Sequence, residues 1–321
     1  MSSNPFYKKH YTTVDNLTRA NVMYLMQRAD FMLDVISNKS EHIPLKNKHA
    51  AILFYQPSTR TYTSFHAAAC RLGMTVTGIQ GMSAYSSAVK GETLADTIKT
   101  VYQTTGADVI VLRHPDDDSS KTAAKNSYVP VINAGSGKRE HPTQALLDLH
   151  TIYKNVGRID NLNIVMVGDH LFGRTTKSLA KLLGLVGENV KVTFVAPKEL
   201  QVVEEFIGEL AQMGLAVELA YDLGTVLDCA DVVYMTRVQK EWFEDAGRLE
   251  DYKRLKDSFI LTPMLAEEMK PESIIMHPLP RTDELPPEVD TNPRARYFKQ
   301  MRSGLALRMA LLESILLAEV V

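Results

Sequence analysis

The sequence predicts an α/β protein with two doubly wound parallel-sheet domains that are bridged by helices. Its 321 residues are enough for two domains of ordinary size, each with its own core. Short apolar runs alternate with helical segments along both halves of the chain, which is typical of parallel βαβ units. The composition, 45% hydrophobic and 23% charged residues, is that of a soluble globular protein.

The first half opens with apolar positions at helical spacing over residues 14–39, which predict one or two packing helices. The apolar run 51–55 suits a buried strand, and an alanine-rich helix follows Pro57. A polar loop over 81–91 is either a functional lid or a simple connection. Further strands are predicted at 74–79, 107–112 and 129–135, with a helix from Glu92.

The second half begins with a long helix from His141 to about Tyr153, the candidate bridge between the domains, because an early proline favours a helix start. The last segment, 296–321, is apolar at helical spacing but interrupted by charges, so we expect it to pack on a core and not in a membrane. Strands are predicted at 162–168, 190–195, 216–220, 231–235 and 273–276, with a helix at 174–184.

Charge and cysteine content exclude several classes of function. A net charge of −2 gives no broad basic field, so nucleic acid is not an expected partner. Cys70 and Cys229 lie far apart without metal-ligand spacing, which argues against a disulfide scaffold or zinc site and fits a reducing cytosol. We expect Cys70, on an alanine-rich helix, to be a core residue. No signal peptide or membrane-spanning run is recognised, and we expect a cytoplasmic protein.

Residues 58–61, Ser-Thr-Arg-Thr, stand where the first strand gives way to a helix. The unpaired N–H groups and the positive end of the helix dipole at a helix start favour an anion, and phosphate is the expected ligand. The alternative is that Ser58 or Thr59 caps the helix and Arg60 is ordinary surface. Arg113 follows another buried strand, at the end where open α/β sheets bind ligands.

Two further features predict no function when taken alone. Residues 168–173 lack the G-x-G-x-x-G spacing that brings backbone against a pyrophosphate, so a nicotinamide enzyme is not indicated. Lys90 is a single lysine in a loop, and such lysines are usually just solvated. Only neighbouring ligand residues could change that interpretation of Lys90.

The chain carries a series of motifs along nearly its whole length: PSTRT (57–61), KGETLADT (90–97), LRHP (112–115), EHPTQALLD (140–148), GRT (173–175), TRVQKE (236–241), MHPLPR (276–281) and DTNPRARYF (290–298). Taken together, and in this order, they resemble those of the aspartate/ornithine carbamoyltransferase family, and specifically the catalytic chain of its aspartate branch. Ornithine enzymes characteristically carry cysteine where this chain has Pro278, so they are the second choice.

The resemblance implies transfer of the carbamoyl group from carbamoyl phosphate to the α-amino group of L-aspartate, the committed step of de novo pyrimidine biosynthesis. It implies no cofactor and no metal, since the enzyme holds two anions side by side and stabilises charge on the leaving phosphate. It also implies a carbamoyl phosphate-binding domain, 1–140, to which a C-terminal helix at 297–321 returns, and an aspartate-binding domain, 141–296. Two alternatives stay open: a transcarbamoylase for another acceptor amine, and a non-catalytic transcarbamoylase-like binding protein.

The family's ligand residues match positions throughout this chain. Arg237 would repel an ammonium side chain, which argues independently against ornithine. The catalytic residues implied are Arg60, Thr61, Arg113 and His141. For carbamoyl phosphate they are Ser58, Thr59, Arg60, Thr61, Ser86, Arg113, His141, Gln144 and the backbone carbonyls of Leu279 and Pro280; for aspartate they are Lys90, Arg174, Arg237 and Gln239.

The resemblance also implies an assembly. In the family, the loop that holds Ser86 and Lys90 reaches the active site of a neighbouring subunit, which implies a homotrimer with shared sites and leaves open whether regulatory chains join it. Several positions depart from the usual pattern, among them Gln56 and Trp242, which stand where the family commonly has a glutamate and an arginine that help close the domains. Closure is therefore expected to depend on other contacts.

Overall fold

The computed structural model describes residues 4–238, 243–244, 247–256 and 258–319. They form two compact units: unit 1 is Met1–Leu147 with Met301–Val321, and unit 2 is Asp148–Gln300. Each unit is built on one parallel sheet, so the predicted fold class is confirmed. Helices α6, Pro142–Val156, and α11, Tyr297–Leu316, carry the chain from one unit to the other. Within the described ranges, no helix is both long and apolar enough to cross a membrane.

Unit 1 contains a four-stranded sheet in the order β2-β1-β3-β4. From the central pair, β1 and β3, the chain moves outward to β2 on one side and to β4 on the other. The strands are β1 (His49–Phe54), β2 (Thr75–Gln80), β3 (Val109–His114) and β4 (Val131–Ser136). The helices are α1 (Arg19–Asn38), α2 (Thr59–Arg71), α3 (Met82–Tyr85), α4 (Leu94–Thr105) and α5 (Ser119–Asn126), with parts of α6 and α11.

The central strands of unit 1 are buried on both faces because helices pack against them, as the continuous apolar runs predict. The last helix is fixed to this unit by an ion-pair cluster. The fully buried Glu313 of α11 accepts from Arg28 of α1 at 2.7 Å and contacts Nε2 of His42 at 2.6 Å. The prediction that the C-terminal helix packs back on the first domain is thus confirmed.

Unit 2 contains a five-stranded sheet in the order β7-β6-β5-β8-β9. Val165, Val233 and Ile275, on the neighbouring strands β5, β8 and β9, belong to one apolar core cluster. The strands are β5 (Asn163–Val167), β6 (Lys191–Val195), β7 (Ala216–Ala220), β8 (Val232–Met235) and β9 (Ile274–Met276). The helices are α7 (Arg174–Val186), α8 (Glu204–Gln212), α9 (Leu249–Leu255) and α10 (Pro263–Glu267), with parts of α6 and α11.

Two local expectations differ from the structure. The segment 81–91, predicted as a polar loop, contains α3 and a short 3₁₀ helix, Ser87–Lys90. Cys70, predicted as a core residue, is exposed. The buried face of α2 carries Phe65 and Ala69 instead, and the Cys70 thiol lies 3.7 Å from Nδ1 of His66 on the outer face. The alanine-rich composition did not fix which face of α2 is buried.

Candidate functional site

The central strands of unit 1 create a point where ligands commonly bind. After β1 the chain moves to one side of the sheet, and after β3 it moves to the other, so a crevice opens outside the carboxyl ends of these two strands. The strands are in register at that end, where Phe54 pairs with Arg113 and the Tyr55 N–H donates to the Arg113 carbonyl at 2.8 Å. Residues 58–61 follow β1, and Arg113 ends β3, so both predicted ligand groups lie at this edge.

The start of α2 is left open to a ligand. Ser58 is the N-cap residue, with extended backbone, but its side chain makes no capping hydrogen bond. The alternative in which Ser58 serves as an ordinary cap is therefore wrong. The Ser58 N–H donates to Oε1 of Gln80 at 3.1 Å, which ties the turn to the end of β2. The remaining N–H groups at the start of this 13-residue helix keep the anion-binding character that the sequence indicates.

Arg113 and its neighbour His114 are held at the end of β3. Nη1 of Arg113 donates to the Ala134 carbonyl on β4 at 3.4 Å, which directs the guanidinium along the carboxyl edge of the sheet. The His114 ring packs on Tyr55, with centroids 4.3 Å apart. Burial lowers the pKa of His114 despite the nearby carboxylate of Asp116, so this imidazole is neutral at physiological pH.

His141 and Gln144 lie at the start of α6, on the same edge of the sheet. Thr61, His141 and Gln144 are each at most 6% exposed, so a ligand held by them would lose most of its contact with water. Glu140 fixes the approach to this helix: its carboxylate accepts from the Thr13 hydroxyl at 2.9 Å, and its carbonyl accepts from the Ser136 N–H at 3.0 Å. Buried donors of this kind act strongly on developing charge because the local dielectric is low.

Unit 2 has a second crevice of the same kind, between β5 and β8. Gly168 follows β5 with φ +118°, and a Cβ at this position would lie 2.3 Å from the carbonyl oxygen of Thr236. The backbone N–H and the hydroxyl of Thr236 both donate to the Val167 carbonyl at 2.8 Å. This close approach of the two strand ends fixes Thr236 and hence the adjacent Arg237.

Two predicted ligand arginines flank this second crevice. Arg174 is the first residue of α7, whose N-cap Gly173 provides no side-chain cap. Arg237 follows Thr236 at the end of β8, and both arginines are half-buried. Asp169 shapes the turn between β5 and α7 by accepting from the Phe172 N–H at 2.9 Å. Gln239, predicted beside Arg237, and Trp242 lie outside the described residues.

The turn after β9 is built on His277. Its Nε2 lies 2.8 Å from Oε1 of Glu284, and its Nδ1 accepts the Leu279 N–H at 2.7 Å. Leu279 has φ +55°, a left-handed conformation that costs an L-residue about 1–2 kcal/mol, and the peptide bond from Leu279 to Pro280 is cis. Burial alone would raise the pKa of Glu284, but hydrogen bonds from His277 and Thr282 outweigh it and lower the pKa to about 2.

Ser86 and Lys90 lie in the segment between β2 and α4. The Ser86 hydroxyl donates to the Met82 carbonyl at 2.6 Å and accepts the Ala88 N–H at 3.2 Å, so both described hydrogen bonds of this side chain stay within the segment. Lys90 is exposed, and so are the apolar side chains of Tyr85 and Val89, at 90% and 61%. Within one chain, the structure assigns these two predicted ligands no role at the edge of either sheet.

Glu284 and Thr236 were not identified from the sequence. Glu284 follows His277 by seven residues in a polar stretch, and nothing in the spacing shows that the two side chains meet. Thr236 belongs to the TRVQKE motif, but that motif implies a ligand role for its neighbour Arg237 and none for Thr236. In both cases the signal is tertiary: a buried polar side chain requires a partner, and the partner is known only once the chain is folded.

Known proteins resemble this chain over nearly its whole length. The model of the aspartate/ornithine carbamoyltransferase carbamoyl-P binding domain matches residues 9–154, and that of the Asp/Orn binding domain matches residues 160–315. The aspartate carbamoyltransferase catalytic subunit of Methanopyrus kandleri is 44% identical over 312 residues, with 97% of this chain and 98% of that protein covered.

Solved structures of the aspartate transcarbamoylase from Trypanosoma cruzi have the same fold. The complex with carbamoyl phosphate superposes with a TM-score of 0.89 at 39% identity, and 97% of each chain is covered. The complex with carbamoyl aspartate and phosphate gives a TM-score of 0.90, again at 39% identity and with 97% of each chain covered. At this identity, the similarity extends beyond the fold to the sequence as a whole.

Proposed function

The chain belongs to the aspartate/ornithine carbamoyltransferase family, and we propose that it transfers the carbamoyl group of carbamoyl phosphate to the α-amino group of L-aspartate. The amine attacks the carbonyl carbon and gives up a proton, the bond from that carbon to the bridging oxygen breaks, and the leaving phosphate takes up the proton, so that the products are N-carbamoyl-L-aspartate and hydrogen phosphate. The observation that supports the proposal is the pair of crevices, each opening between two neighbouring parallel strands, with arginines at the carboxyl ends of those strands or in the segments that follow them. The relatives are themselves named aspartate carbamoyltransferases.

We assign binding of carbamoyl phosphate chiefly to unit 1. The phosphate is held at the start of α2 by the hydroxyls of residues 58–61, the helix N–H groups and Arg60. Thr61, Arg113 and His141 donate to the carbonyl oxygen, where negative charge grows as the amine attacks. Gln144 and the backbone carbonyls of Leu279 and Pro280 accept and orient the carbamoyl amide. These roles are supported by the uncapped helix start and the burial of Thr61, His141 and Gln144.

We assign binding of aspartate chiefly to unit 2. Arg174 takes the α-carboxylate and Arg237, with Gln239, takes the side-chain carboxylate, because planar guanidinium forks match carboxylates. A substrate with an ammonium side chain would be repelled by Arg237, which favours aspartate over ornithine. The functional domains that follow from these roles are 1–140 with the returning helix 297–321 for carbamoyl phosphate, and 141–296 for aspartate. We propose that the reaction takes place in the cytoplasm.

We further propose a homotrimer in which Ser86 and Lys90 serve the site of a neighbouring subunit. The exposed Tyr85 and Val89, which lie together in this segment, support an interface there, since neighbouring exposed apolar side chains mark interaction surfaces more than isolated ones do. The test uses two inactive variants, Lys90→Ala and Arg60→Ala. If sites are shared, a mixed trimer can form one intact site, and activity should reappear after the two variants are dissociated and reassembled together. Activity that never exceeds that of either variant alone would contradict shared sites.

A product assay tests the reaction itself. The protein is given carbamoyl phosphate with L-aspartate, ornithine, putrescine or N-acetylornithine, and the carbamoylated product is measured. Aspartate should be the efficient acceptor, and an Arg237→Gln variant should lose that preference because the side-chain carboxylate loses its partner. Efficient carbamoylation of another amine would show that this amine, and not aspartate, is the acceptor. Tight binding of carbamoyl phosphate without turnover of any amine would favour the non-catalytic alternative.

A further inference from the structure

The turn after β9 is anchored by a buried network of hydrogen bonds that takes no direct part in the proposed chemistry. The Tyr234 hydroxyl donates to Asp148 at 2.7 Å, and Nε2 of Gln300 donates to the other oxygen of that carboxylate at 2.5 Å. Oε1 of Gln300 accepts the backbone N–H of His277 at 3.1 Å. His277 then contacts Glu284, and all five residues are buried. This hydrogen-bond network thus connects α6, β8 and α11 to the turn.

The hydrogen bonds of His277 determine its tautomer. Because Nδ1 accepts the Leu279 N–H, it carries no proton, and Nε2 is the protonated nitrogen that donates to Oε1 of Glu284. Glu284 also accepts the Thr282 N–H at 3.0 Å and the Thr282 hydroxyl at 2.6 Å. One carboxylate therefore fixes both the orientation of the His277 ring and the far side of the turn.

Leu279 is the residue that needs this support. Its left-handed backbone conformation is uncommon for a residue with a Cβ, and such conformations persist only where surrounding contacts hold them. Nδ1 of His277 accepts directly from its N–H, and nothing about a leucine side chain favours the left-handed form. The orientation of the Leu279 carbonyl therefore depends on an imidazole that is itself oriented by Glu284.

We propose that Glu284 is a positioning residue: through His277 it orients the backbone carbonyls of the turn toward the carbamoyl amide. This orientation lets the enzyme select carbamoyl phosphate over acyl phosphates that lack the amide. The inference rests on the proposed function, because it takes Leu279 and Pro280 as the acceptors for that amide. Acetyl phosphate is the natural comparison, since it differs by a methyl group in place of the amino group and offers no N–H donor.

Two matched substitutions of His277 separate its two hydrogen bonds. His277→Asn keeps an acceptor at the position of Nδ1, within reach of the Leu279 N–H, but loses the contact with Glu284. His277→Gln keeps a donor near the position of Nε2 but loses the acceptor for Leu279. Glu284→Ala and Glu284→Gln form the second pair, because glutamine can still accept from His277 with its amide oxygen.

The full-length variants are titrated by calorimetry with carbamoyl phosphate, acetyl phosphate and inorganic phosphate. Glu284→Ala and His277→Gln should weaken carbamoyl phosphate about tenfold, the size of one or two lost hydrogen bonds, while binding of the other two ligands stays unchanged. Glu284→Gln should stay within about threefold of the wild type, whereas His277→Asn, which keeps the acceptor but loses the contact with Glu284, should be weakened like Glu284→Ala. The ratio of the two acyl phosphate dissociation constants is the decisive quantity, since a general loss of packing would change all three ligands together.

Equal weakening of all three ligands, or an unchanged ratio in Glu284→Ala and His277→Gln, would overturn the positioning role. If Glu284→Ala does not fold, His277→Asn decides the outcome, because it removes the same contact with Glu284. Failure of the proposed function would look different: the wild-type protein would not carbamoylate aspartate at all. An active wild type with an unchanged ratio refutes only the inference about Glu284.

Discussion

Replacing Gly168 by alanine should damage both the stability of unit 2 and the binding of aspartate. Gly168 joins β5 to the turn before α7, with φ +118°, a region that residues with a Cβ rarely adopt. The new methyl group would point at the backbone of Thr236, with its carbon 2.3 Å from the carbonyl oxygen and 2.5 Å from the hydroxyl. Backbone cannot rotate out of the way as a flexible side chain can.

The expected magnitude follows from those two effects. The forced conformation costs about 1–3 kcal/mol, and an overpacked contact that moves backbone costs a further 1–3 kcal/mol, roughly. Real Cβ atoms essentially never come within 3.0 Å of such an atom, so Thr236 must move by about 0.7 Å or β5 must move away from it. Arg237 follows Thr236, and a displacement approaching 1 Å can lower the rate by up to about 10²-fold.

Urea unfolding measures the first effect and aspartate kinetics the second, with Gly208→Ala as the matched control. Gly208 lies inside α8, with nothing within 4 Å of the added methyl group, so alanine there should stabilise by about 0.5–1 kcal/mol and leave kinetics unchanged. Gly168→Ala should lose about 2–6 kcal/mol and raise the aspartate KM, while carbamoyl phosphate binding in unit 1 is retained. A loss below about 1 kcal/mol with unchanged aspartate kinetics would refute the reasoning.

Three further outcomes are expected. Arg60→Ala should lower kcat by about 10²–10³-fold at saturating substrates with little change in thermal stability, and near-normal turnover would remove Arg60 from the catalytic group. Burial lowers the pKa of His170 to about 4 from its ordinary 6.5, so the imidazole is neutral in the fold. Between those two pH values the unfolded chain binds a proton at His170 that the folded chain does not. The unfolding free energy should therefore fall by about 3 kcal/mol as pH drops from 6.5 to 4. His170→Gln should lose this dependence when urea unfolding curves are compared across pH. Arg28→Ala should destabilise unit 1 by about 3 kcal/mol because the fully buried Glu313 carboxylate loses its guanidinium partner, while its contact with His42 is kept. An unchanged urea midpoint would show that the ion pair contributes nothing.

The sequence by itself determined the fold class, the order of the strands along the chain and the family. Continuous apolar runs such as β1 and β3 are visible in the sequence because burial on both faces requires them. One ligand candidate was visible for a related reason: in parallel sheets ligand residues follow the carboxyl ends of strands, so Arg113 could be named from its position alone, whereas Arg237 was named from the family resemblance.

Only the tertiary structure decided which side chains meet. The phase of α2 left Cys70 exposed, the Ser58 hydroxyl turned out not to cap its helix, and His277 found its partner in Glu284. Each depends on contacts between segments, whereas periodicity reports only how one segment is divided between core and solvent. Hydrogen bonds of buried polar groups are short and directional, so their partners become defined only when sheets and helices have packed.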